Sequence, residues 1–180
     1  MSVFTNSASS SADQARAYVA AILDLLGTRD PIDVLEETPD EVRGAVAGLS
    51  DKQLSQPESP GKWSLGHVVQ HLADSELVWG YRLRLVLAQE RPTLTGYDQD
   101  LWSERLHYER APMDEALDRF AVLRRSNLRL LAEASPADLQ RVGVHAERGE
   151  ESVAHMIRLY AGHDLLHLRQ LARIRQVVER

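Results

Sequence analysis

Three histidines combine residue type and spacing in a way that could do chemistry. His163 and His167 stand i,i+4 in the run HDLLH, and His71 lies far upstream in the run HLADSE. Helical residues advance about 100° each. A helix through 163–167 therefore turns both imidazoles to one face, about 40° and one turn apart. Neutral imidazoles ligate zinc, nickel, iron and copper. Three of them would leave a metal with an open position for water or substrate. The competing reading is a pair of core-edge histidines bonded to backbone or carboxylate groups, because an unpaired buried imidazole is costly.

Spacing alone leaves the third ligand open, since His67 stands i,i+4 from His71. His155 falls about 80° from His163 around the helix, a poor angle for the same ion. His107 and His145 lie in connecting segments and read as solvated. His145 and Asp74 are weak catalytic candidates, and with Trp102 they are candidates for a cavity wall. Asp74, Glu76 and Asp164 either carry solvated charge or accept an imidazole N–H and fix its tautomer. HDLLH also resembles the metalloprotease helix HExxH, but Asp replaces the general-base Glu and no further ligand follows His167.

The elements that must position these residues are helical nearly throughout. Ala15, Val19, Ile22, Leu23 and Leu26 predict a helix over 12–27, stopped at Gly27. Pro31 opens a short helix to Glu37, and Thr38 and Pro39 read as cap and first residue of another over 39–49. A loop over 51–62 precedes a helix from the Ser64 cap to about Gln89. A long connection over 92–111 carries a short helix near 98–107. Further helices are expected over 112–134 and 150–178. Ser135-Pro136 reads as a turn, 142–149 as a loop, and no strand is predicted. The pattern is an all-α four-helix bundle with long connections and an extra N-terminal helix.

Bulk composition sets the outer bounds. The chain has 180 residues, 43% hydrophobic and 27% charged, which suits one folded domain over 12–180 after a disordered tail at 1–11. No cysteine is present, so thiolate ligands, a cysteine nucleophile and disulfides are excluded. A net charge of -6 argues against a nucleic-acid footprint. No apolar run is long enough to span a membrane. The N-terminal run is not built like a signal peptide, and the expected location is cytoplasmic.

The runs GKWSLGHVVQHLADSE, GYDQDLW and HAERGEESVAHMIRLYAGHDLLHLRQL together resemble the DinB/YfiT-like superfamily over about residues 36–175. The resemblance implies a four-helix bundle with a divalent metal near one end. It implies His71, His163 and His167 as the ligands and so selects His71 over His67. It further implies a homodimer, and zinc or nickel is the ion expected for three imidazoles. The implied activity is that of a metal-dependent S-transferase or hydrolase acting on a small molecule, with a low-molecular-weight thiol as co-substrate in the first case. The alternative is a non-catalytic metal-binding protein of the stress response.

Overall fold

The computed structural model describes residues 12–180, and the tail expected at 1–11 lies outside the described residues. The helices are α1 (Ala12–Leu26), α2 (Pro31–Val46), α3 (Asp51–Ser55), α4 (Leu65–Ala88), α5 (Gln99–Arg105), α6 (Met113–Ala132), α7 (Pro136–Leu139) and α8 (Val153–Val178). A 3-10 turn covers Tyr108–Arg110. Strands β1 (Thr93–Leu94), β2 (Val142–His145) and β3 (Gly149–Ser152) form one small sheet. Helices α2, α4, α6 and α8 make the four-helix bundle, and α1 lies along α8. No described helix is long and apolar enough to cross a membrane.

Three expectations fail for physical reasons. The split at Thr38-Pro39 does not occur, and α2 runs through Pro39. Proline has no N–H for the carbonyl four residues back, here that of Leu35. Arg124 from α6 fills that acceptor at 2.8 Å. The Thr38 hydroxyl, expected as a cap, instead donates to the Val34 carbonyl at 2.6 Å. The second failure is the absence of strands. Residues 142–152 form a hairpin whose β2 also pairs in parallel with β1, and α8 begins at Val153 after the Ser152 cap. Gly143 permits this sheet to lie on the bundle: a Cβ there would stand 2.8 Å from both Leu94 and Val86. The 51–62 segment also differs from a plain loop, since Ser50 and Gln53 close a capping box on α3.

The apolar core comes in two layers. One gathers Leu35, Trp79, Leu83, Val86, Met156 and Ala161, and the other gathers Val42, Leu65, Leu72, Phe120, Leu171 and Ile174. Each bundle helix also buries polar groups: Thr38 on α2, His71, Asp74, Ser75 and Glu76 on α4, Arg124 and Asn127 on α6, Asp164 and His167 on α8.

Helix α1 reaches α8 through Gly162, where a Cβ would fall 2.2 Å from the Ile22 carbonyl oxygen. Only glycine allows backbone to approach that closely. Gly162→Ala should therefore push α1 off the bundle and cost about 1–3 kcal/mol. A lower melting temperature with faster amide exchange in 12–26 is expected; no change in either would contradict this packing.

Candidate metal centre

The Ser64 side chain caps α4 by accepting from the His67 N–H, which sets His71 two turns into the helix. On α8, His163 and His167 share one face, as their spacing requires. The Nε2 atom of His163 lies 3.2 Å from Nε2 of His71 and 3.1 Å from Nε2 of His167. One ligand atom from each of the three lies within 4.8 Å of the other two.

Hydrogen bonding alone satisfies this arrangement poorly. A neutral imidazole has one N–H and one lone pair. The His167 Nδ1 lies 2.8 Å from the Gln170 side-chain amide oxygen, so Nδ1 carries the proton and Nε2 keeps its lone pair. The His163 Nε2 then faces two neighbours with a single site to offer. The Nδ1 atoms of His71 and His163 are buried without a hydrogen-bond partner. Tetrahedral ligation at the usual zinc–nitrogen length would hold nitrogens about 3.3 Å apart, close to the spacing found. The residues therefore fit a divalent metal.

Burial, and then the neighbouring imidazoles, push His71 well below its usual range. Burial and His163 together push His167 down to about 3. Both rings are consequently neutral at physiological pH, the form that ligates. Trp63 packs against His71 with ring centroids 5.0 Å apart, and Tyr160 stacks on Trp79 at 4.6 Å while bordering His163.

The carboxylates beside the histidines are not solvated. Arg124 bonds Glu76 at 2.8 Å and Asp164 at 2.7 Å, with all three side chains 1% exposed. Asn127 donates to the other Glu76 oxygen at 2.8 Å. Asp164 stands 3.9 Å from the His163 Nδ1, too far for a hydrogen bond. Asp74 is held by the Tyr108 hydroxyl at 2.7 Å and Arg119 at 3.1 Å, and does not join the histidine cluster.

The remaining histidines lie apart from the cluster. His67 bonds Ser64 at 2.8 Å and lines a cleft of about 770 Å³, which His167, Trp63 and Gln170 also border. His107 is exposed, and His155 starts α8. His145 corrects the expectation of a solvated loop: it ends β2, is 1% exposed, and has a partnerless Nε2. Trp102 packs on Tyr97 at 4.5 Å. A second, smaller cavity of about 80 Å³ touches His71 and His163, and its wall includes Tyr97, Tyr160, Arg82, Arg148 and Glu151. Arg124, Gln170 and Arg82 were not singled out by sequence. A signal existed for Arg124, which occupies the buried stripe Leu117–Phe120–Arg124–Asn127–Leu131 of α6.

Burial, followed by the Arg148 and Arg82 charges, pushes His145 down to about 4. A depressed histidine leaves the unfolded chain binding the extra proton between about 6.5 and the folded value. Stability should then be full above about pH 6.5 and fall on acidification, with His145 and His167 each withdrawing about 2 kcal/mol by pH 5. Urea midpoints of the metal-free protein should drop between pH 7.5 and 5 in the wild type and less in His145→Gln. Equal midpoints at both pH values would contradict the neutral buried rings.

Comparison with known proteins extends the geometry. The model of the DinB superfamily matches residues 34–171. A Bacillus mycoides (strain KBAB4) protein is 32% identical over 145 residues, covering 81% of this chain and 83% of its own. One from Oceanobacillus iheyensis is 32% identical over 137 residues, covering 76% and 79%. The names of both suggest, without asserting, a metal-dependent hydrolase. Among solved structures, YfiT from Bacillus subtilis superposes with a TM-score of 0.73 at 30% identity, covering 79% of this chain and 84% of that one. It is described as a metal-dependent hydrolase, again as a proposal, with an unusual four-helix bundle topology.

Proposed function

The chain belongs to the DinB superfamily, and from that membership we propose that it is a metal-dependent enzyme of hydrolytic type acting on a small molecule. His71, His163 and His167 are its ligands in this reading. The observation that carries it is the meeting of three buried or half-buried Nε2 atoms from α4 and α8, with the His167 proton committed to Gln170. A divalent ion held there supplies a Lewis acid and lowers the pKa of a water or an external thiol entering its open position.

The chain's own residues do the rest. Gln170 fixes the His167 tautomer, so the ring offers a lone pair without reorganising. Trp63 and Tyr160 border the imidazoles of His71 and His163. The wide cleft bordered by Trp63, His67 and His167 gives a small molecule access. With no cysteine in the sequence, a thiol nucleophile would have to arrive as a co-substrate.

Elemental analysis of the purified protein should find one divalent ion per chain. His71→Ala, His163→Ala and His167→Ala should each lose it, while Gln170→Ala should weaken binding about 10–100-fold. Stoichiometric metal in the triple alanine variant would overturn the ligand assignment. Ester and amide hydrolysis should stop on chelation and return on reloading. Metal-dependent consumption of a low-molecular-weight thiol by an electrophile would instead indicate the transferase, and a loaded protein inactive in both assays would indicate a non-catalytic role.

A further inference from the structure

We propose that the small cavity beside the histidines is a carboxylate-binding subsite, with Arg82 as the group that receives the anion. The substrate would then be a small carboxylate-bearing molecule, its reacting bond lying toward His71 and His163. Only the position of that bond rests on the proposed metal site; the anion subsite stands on separate observations.

The first is a charge without a partner. Arg82 is 5% exposed, and its Nε and Nη2 both donate to one backbone carbonyl, that of Thr95. Among the described residues no carboxylate pairs with it. The other buried arginines differ. Arg124 holds two carboxylates, and Arg148 binds both oxygens of Glu151. A buried guanidinium is normally paired, because its desolvation is otherwise unrecovered. Glu151 lines the same cavity, but its charge is already matched by Arg148. The cavity therefore keeps one net positive charge.

The second is a free donor. The Arg82 Nε and Nη2 are used on Thr95, while Nη1 makes no hydrogen bond among the described residues, and Arg82 lines the cavity. Burial raises Tyr97 and Tyr160 above their ordinary range, so these wall hydroxyls stay protonated and add no negative charge.

The third is size. A cavity of about 80 Å³ is several times the space that one water needs, which is about 10–15 Å³. That volume suits a carboxylate and its first carbon. Arginine's planar fork also matches the two oxygens of a carboxylate. Because the same small space touches Arg82, His71 and His163, one short molecule reaches all three.

The test uses metal-free protein and carbon-13 acetate as the probe, followed by NMR at constant ionic strength in chloride. Saturable acetate binding is expected in the wild type. It should weaken roughly tenfold or more in Arg82→Gln, and Arg82→Lys, which keeps the charge without the fork, should fall between. Helical circular dichroism checks that each variant is folded. Methylammonium should not compete. Absence of saturable binding in the wild type would overturn the proposal, whatever the variants do. Equal binding by a folded Arg82→Gln, or displacement of acetate by lower concentrations of phosphate, would also overturn it. Equilibrium dialysis with zinc separates the two readings. Acetate binding without metal binding would remove the proposed function and leave the subsite, and metal binding without acetate binding would do the reverse.

Discussion

The Arg124 guanidinium ties all four bundle helices together. It sits on α6 and bonds the Leu35 carbonyl on α2, Glu76 on α4 and Asp164 on α8. Phe120 supports it, with the guanidinium carbon 4.8 Å from the ring centroid. The bond to α2 exists because Pro39 leaves the Leu35 carbonyl without its helical partner. Losing only the arginine would strand two buried carboxylates and cost about 3–5 kcal/mol, whereas an apolar replacement of the whole set could be neutral or better. Stability alone does not account for such a network.

What it does supply is register. Asp164 adjoins His163 in sequence, and Glu76 follows His71 by little more than one turn. Fixing these two carboxylates on one guanidinium sets α4 against α8 along their lengths. That register brings the His71 Nε2 to 3.2 Å from the His163 Nε2. An apolar interface of the same area would tolerate sliding by a ridge, since ridge-and-groove packing has several comparable fits. Asn127 adds to the lock by bonding Glu76 across α4, where Gly80 makes room: a Cβ there would stand 2.7 Å from the Asn127 amide.

Much of this was legible in the chain. The 3–4 spacing of apolar residues marked α1, α4, α6 and α8 and, through the i,i+4 histidines, the shared face of His163 and His167. Where the expectation failed, a distant residue decided the outcome. Pro39 reads locally as a helix start, and only Arg124, far along the chain, lets α2 continue through it. The VGVH run reads locally as a loop, and only its pairing with Gly149–Ser152 and with Thr93–Leu94 makes it a strand. His145 was misplaced with it. The choice between His67 and His71 was likewise open to spacing, because both stand on α4 one turn apart. Their surroundings separate them, Ser64 and the open cleft for one and the buried polar layer for the other.

Three imidazoles, set in register by the Arg124 network, share one metal ion in this proposal. X-ray absorption spectroscopy of the zinc-loaded protein tests it most directly. Three imidazole nitrogens at about 2.0–2.1 Å and one further oxygen ligand are expected. A spectrum with two imidazoles or fewer, or with a shell made mainly of carboxylate oxygen, would contradict it.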